Sequence, residues 1–199
     1  GLIIENSPQG QVHVPGVTVT DDPATIGVVD VVLIAVKLWD TEAAARAVTS
    51  LVGPKTTVVS LQNGVMKDDL LRAAFGEASV VGGVAYVASH VSRPGVIRQT
   101  GTMKRCILGE YDGRRSDRVG ALRDALLRAG INVEVSDDIQ RTLWEKYVFL
   151  VGLSGSTTTM RSTIGPIRAH QQARTFLYEL MKETVAVGRA HGVKLLDDY

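Results

Sequence analysis

The chain of 199 residues has one cysteine, Cys106, so neither an internal disulfide nor a zinc site built on paired cysteines is open to it. It has no excess of either charge sign: 22 Lys and Arg face 21 Asp and Glu. That balance argues against a protein that holds nucleic acid or anionic lipid by bulk electrostatics. It also has no long apolar run. The best stretch, Val28 to Trp39, is interrupted by Asp30 and Lys37, short of the roughly 20 uninterrupted residues a membrane span needs. His13, His90, His170 and His191 show no metal-ligand spacing to one another or to Cys106. No Gly-x-Ser-x-Gly elbow surrounds Ser154. What is present is a 45% apolar composition, enough for a real core and a small-molecule or subunit partner.

Periodicity supplies the elements. Val31 to Val36 is a continuous, largely β-branched run, the pattern of a central parallel strand covered on both faces. Thr41 to Leu51 follows as a helix, Thr57 to Leu61 as a second strand, and Lys67 to Phe75 as a second helix. That rhythm is α/β. Val80 to Glu110 breaks into antiparallel pieces at Arg93-Pro94-Gly95 and Thr100-Gly101. A helix from Ser116 to Ala129 and a strand from Asn132 to Val135 complete this part. Ser136-Asp137-Asp138 is a strong helix start, and Ile139 to Leu153 reads as a helix whose second half is apolar all round and therefore buried. Gly152 to Arg161, rich in glycine and hydroxyls, reads as a turn. Gln171 to His191 is a last amphipathic helix ending at Gly192. The boundary between an α/β domain and a helical domain falls near Ser136.

In a doubly wound sheet, ligands bind at the carboxyl ends of the strands. Lys37 and Asn63 follow the two best strands. A lysine there places an ammonium near a phosphate or carboxylate, and an amide both donates and accepts. A snorkelling Lys37 and a plain turn at Asn63-Gly64 fit the same residues. Lys146 enters the apolar part of its helix, with Leu150 and Ser154 on the same stripe at intervals of four. A lysine losing hydration acquires a lower pKa and becomes able to donate a proton near neutrality. An ion pair with Glu145 or Glu134 is the competing reading.

Ala35-Val36-Lys37, Leu61-Gln62-Asn63-Gly64-Val65, Gly82-Gly83-Val84-Ala85, Trp144-Glu145-Lys146 and Thr163-Ile164-Gly165-Pro166-Ile167-Arg168 occur in an order that resembles the ketopantoate reductase (2-dehydropantoate 2-reductase) family across essentially the whole chain. The resemblance implies an α/β fold: a Rossmann-like doubly wound sheet over residues 1–136, lacking its first βαβ unit, and then the start of an all-α domain of the 6-phosphogluconate dehydrogenase type over 137–199. It implies NADPH as cofactor, a small 2-oxo acid as substrate, a place in pantothenate biosynthesis, a cytoplasmic location and, as is common in the family, a homodimer, with no nucleic-acid or membrane partner.

By the same resemblance Lys146 and Asn63 are catalytic. Lys37, Asn63 and Ser89 contact the cofactor, Ser89 from the end of the strand that starts at Val84. Asn63, Lys146 and Ser154 bind substrate. The positions where these reductases carry substrate-binding asparagines hold Leu150, Ser154 and Ile164. That departure counts against pantoate in particular rather than against a reductase, because a buried hydroxyl left unpaired costs about 1–3 kcal/mol; Ser154 keeps one polar contact. No Gly-x-Gly-x-x-Gly occurs, and that loop normally cradles the pyrophosphate. The expectation is an internal piece of a longer reductase, binding NADPH poorly and nearly inactive by itself. The alternatives are a non-catalytic binding module that lost its nucleotide loop and a reductase of the same superfamily with a less polar substrate.

Overall fold

Short β-branched runs bounded by turn residues become strands where alternate positions find cover. The computed structural model describes residues 1–7 and 10–196. Leu2–Ser7 (β1) and Gly10–Val14 (β2) form an antiparallel pair. Val31–Ile34 (β3) lies parallel to Thr57–Ser60 (β4), and β4 lies parallel to the start of Val80–Arg93 (β5). Val96–Gly109 (β6) runs back antiparallel along β5, and Asn132–Val135 (β7) joins the end of β6 in parallel. The sheet order is β2-β1-β6-β5-β4-β3, with β7 also on β6.

The helices are Thr41–Ala47 (α1), Lys67–Phe75 (α2), Asp117–Arg128 (α3), Ile139–Met160 (α4), Ile164–Ala169 (α5) and Gln171–Ala190 (α6). Their starts follow the sequence. Ser116 Oγ accepts from the Val119 amide at 3.3 Å, and Asp138 Oδ1 accepts from the Arg141 amide at 2.9 Å; each satisfies an amide that the first turn leaves without a partner. Among the described residues no helix is long and apolar enough to cross a membrane.

β4 is buried on both faces. Val58 packs with Val32, Ile34, Leu71 and Val80, while Val59 packs on the opposite face with Val81, Leu108, Val119 and Leu122. β3 ends at Ile34, two residues short of the expected run, and is the outermost strand on its side among the described residues, with Val32 and Ile34 buried and Leu33 49% exposed. Thr100-Gly101 does not break the strand either. β6 runs through it, and the irregularity is absorbed as a register shift between Val87 and Ser89.

The larger correction concerns α4, which does not turn at Gly152 but continues to Met160. The hydroxyls that favour a turn instead fold back on the helix: Ser156 Oγ donates to the Gly152 carbonyl and Thr157 Oγ1 to that of Leu153, both at 2.7 Å. The glycines serve packing, since a Cβ on Gly152 would lie 2.6 Å from Met181 and one on Gly155 would lie 2.9 Å from Leu180. The real stop is Arg161, at φ 47°. Nor is the middle of α4 buried all round: Val148 is fully buried and Phe149 is 44% exposed.

α4 is seated on the sheet by a cross-strand pair of glycines. Gly82 on β5 faces Gly109 on β6, and a Cβ on either would meet Ile139, at 2.5 Å and 3.0 Å respectively. Ile139 is 1% exposed and packs with Val84, Ile107 and Leu143. Gly82→Val should therefore lower stability by about 1–3 kcal/mol through overpacking. Gly120→Ala in α3, with nothing within 4 Å of the added carbon, should be neutral or stabilising by up to about 1 kcal/mol. Urea midpoints with unchanged slopes check both; a Gly82→Val midpoint equal to that of the parent would contradict this account of how α4 is held.

Candidate active site

The backbone leaves β4 at Ser60 and enters a short loop before α2. Gln62 organises that loop from a buried position. Its Oε1 accepts from Ser60 Oγ at 2.9 Å, and its Nε2 donates at 2.8 Å to both the Val36 carbonyl and Thr41 Oγ1. Thr41 Oγ1 in turn donates to the Leu38 carbonyl at 2.7 Å. One amide thus ties the loop after β3, which carries Lys37, to the loop after β4, which carries Asn63. Gly64 then turns the chain at φ 103°, a conformation a side chain resists.

Lys146 reaches this loop from α4, two turns beyond the Ile139 seat. Its Nζ donates to Asn63 Oδ1 and to the Ala85 carbonyl on β5, both at 2.7 Å, and lies 5.5 Å from the centre of the Tyr86 ring. The residue is 8% exposed. The competing ion pairs do not form: Glu145 pairs with Arg141 at 3.4 Å and Glu134 with Arg105 at 3.0 Å. Two neutral acceptors therefore take two of the three ammonium protons. Burial, helped by the positive charge of Lys67 and opposed by Cys106, brings the Lys146 pKa down to about 8. An ammonium with that pKa, held by neutral partners, can stabilise a developing oxyanion and give it a proton.

The other sequence candidates sit less centrally. Lys37 is exposed in the loop after β3, and the strand does not reach it. Leu150 is half-buried and Ser154 exposed, so the stripe begun by Lys146 runs outward; Ile164 is half-buried at the start of α5. Ser89 is not at a strand end. β5 continues to Arg93, and Ser89 lies exposed within it opposite Gln99, about 13 Å along the strand from Ala85. Sequence reasoning missed Gln62, although it lies in a quoted motif, and it missed Lys67 and Tyr86.

The ketopantoate reductase PanE/ApbA family matches residues 1–113, and the family of ketopantoate reductase PanE/ApbA C-terminal regions matches residues 138–199. A 2-dehydropantoate 2-reductase of Mesorhizobium japonicum is 31% identical over 189 residues, covering 85% of this chain and 58% of its own. An uncharacterized oxidoreductase of Bacillus subtilis, YkpB, is 30% identical over 167 residues, covering 84% of this chain and 55% of its own. The crystal structure of 2-dehydropantoate 2-reductase from Geobacter metallireducens superposes with a TM-score of 0.90 at 29% identity, over 100% of this chain and 65% of that one. The chain thus spans less than two thirds of the length of these relatives.

Proposed function

This chain belongs to the ketopantoate reductase family, and from that premise we propose that the whole protein reduces a 2-oxo acid to a 2-hydroxy acid with NADPH, Lys146 serving as general acid. One observation carries the reading: the two 2.7 Å contacts that hold a buried ammonium against Asn63 and Ala85 beside the carboxyl end of β4.

NADPH, when bound, supplies the hydride. The chain's own residues do the rest. Lys146 bonds the keto oxygen and gives it a proton as negative charge develops there, a stabilisation larger for the alkoxide than for the neutral ketone. The resulting amine regains its proton from solvent. Asn63 accepts from the ammonium and so aims it. Asn63 and Lys37, exposed on loops joined by Gln62, fit a ribose hydroxyl and a phosphate by their chemistry. With no Gly-x-Gly-x-x-Gly in residues 1–199, no pyrophosphate contact is assigned. The proposal keeps Ser89 as a cofactor contact and Ser154 as a polar substrate contact, and it extends to a cytoplasmic homodimer.

The half-buried Leu150, one turn along α4 from Lys146, favours a 2-oxo acid with an apolar substituent over a hydroxylated one. Calorimetric titration of the full-length protein with NADPH, followed by turnover on a panel of 2-oxo acids, tests this. Branched aliphatic or aromatic 2-oxo acids should exceed ketopantoate by about tenfold or more in kcat/KM, the size of one unpaired hydrogen bond. Absence of NADPH binding by the full-length protein would favour the non-catalytic module instead.

A further inference from the structure

Behind the candidate site lies a second lysine without any exposed surface. Lys67, the first residue of α2, is 0% exposed. Its Nζ donates to the Ser60 carbonyl at 3.0 Å and to Asp68 Oδ2 at 2.8 Å. The same Asp68 oxygen accepts from the Tyr111 hydroxyl at 2.6 Å, while Asp68 Oδ1 is buried with no partner. A buried ion pair stabilises a fold poorly, because desolvation cancels most of the attraction, and apolar residues of similar volume often do as well or better. The position of Lys67 therefore calls for a local role. Ser60 is the last residue of β4, with its carbonyl held by Lys67 and its hydroxyl held on Gln62. The segment from Ser60 to Lys67, with Asn63 at its apex, is pinned by these bonds.

We propose that Lys67 is a positioning residue of the candidate active site: through the Ser60 carbonyl it holds the Asn63 loop against Lys146, and its buried ammonium stands behind Lys146 as a second positive charge. The catalytic meaning of this arrangement rests on the reading of Lys146 as the acid; the arrangement itself does not.

The charge acts in one direction. A neighbouring cation disfavours protonation of Lys146 and adds to burial in keeping its pKa low. Burial also pushes Lys67 itself below the ordinary lysine value, against the pull of Asp68. The titratable and charged groups bearing on Lys146 are Lys67 from α2, Cys106 from β6, Tyr86 from β5 with Arg105 and Glu134 beside that ring, Glu145 and Arg141 on α4 itself, and His191 after α6, against Trp144. Burial holds the Cys106 thiol and the Tyr86 phenol above their usual values, so neither supplies a compensating anion near neutrality.

The test reads the titration of Lys146 directly, by NMR of the full-length protein with lysine labelled at ¹³Cε. Lys67→Met leaves Asp68 buried with only Tyr111, so Lys67→Met combined with Asp68→Asn is made as well; it removes both charges and keeps an oxygen for the Tyr111 hydroxyl. In either folded variant the Lys146 titration should move upward by a few tenths to about one unit, and the Asn63 side-chain amide signals should shift. In the unaltered chain the Lys67 signal should show an inflection at the pH where Lys146 titrates, a measurement that needs no substitution and decides the matter if both variants unfold. A Lys67 signal flat through that pH, or a folded variant with unchanged Lys146 titration, overturns the proposal. Turnover of Lys146 variants tests the reductase reading separately, so the two fail by different observations.

Discussion

Lys146→Ala in the full-length protein should lower turnover of the preferred 2-oxo acid by about 10²- to 10⁴-fold, the usual contribution of a general acid. The effect belongs in kcat, because the ammonium interacts more strongly with the alkoxide than with the ketone that precedes it. Alanine also removes a side chain that is 8% exposed and leaves Asn63 Oδ1 and the Ala85 carbonyl without their donor. Lys146→Met is the sharper probe, since it retains the apolar stem and deletes only the charge. Both variants should lose activity to a similar extent, and the methionine variant should melt closer to the parent. Activity of the methionine variant within tenfold of the parent, in steady-state assays with saturating NADPH, would remove Lys146 from the mechanism.

The pH–rate profile should break near 8. The acid must carry its proton, and burial brings the Lys146 pKa down to about 8 from the ordinary 10.5. Turnover should therefore stay level on the acid side of that value and fall about tenfold per unit above it. A break near 10.5 would mean a solvated lysine, and a rate rising through pH 8 would mean that the group acts as a base. The same shift has a linked consequence for stability. Between about 8 and 10.5 the unfolded chain binds the lysine proton more readily than the folded one does, so this group destabilises the fold below that window and ceases to do so above it. Chemical denaturation at matched ionic strength across these pH values should show stability from this group increasing with pH.

Much of the architecture can be read from residues because its causes are local. Ser116 and Asp138 are capping residues whose oxygens face amides three positions on, and both helices start at them. The strand-end argument picks out Asn63, and the apolar helix segment that Lys146 enters picks out the lysine; they meet at 2.7 Å. What stays hidden depends on partners distant in sequence. Gly152 and Gly155 look like helix breakers until α6 is placed against them, where an added Cβ would come within 3 Å of Met181 and Leu180. Lys67-Asp68-Asp69 has the look of a solvated helix start, and the burial of its first two residues depends on Tyr111 and Ser60, which nothing in that local sequence announces. Leu2–Ser7 pairs locally with Gly10–Val14 but joins the rest of the sheet by lying parallel to β6, through contacts about ninety residues apart, a separation over which periodicity carries no information.

The central claim, that the ammonium of Lys146 meets the oxygen being reduced, is tested most directly by a crystal structure of the full-length protein with NADP⁺ and an unreactive 2-oxo acid analogue. The account predicts Lys146 Nζ about 3 Å from the keto oxygen, with Asn63 Oδ1 still its neighbour. An analogue seated elsewhere, with Lys146 turned away from it, would contradict the account.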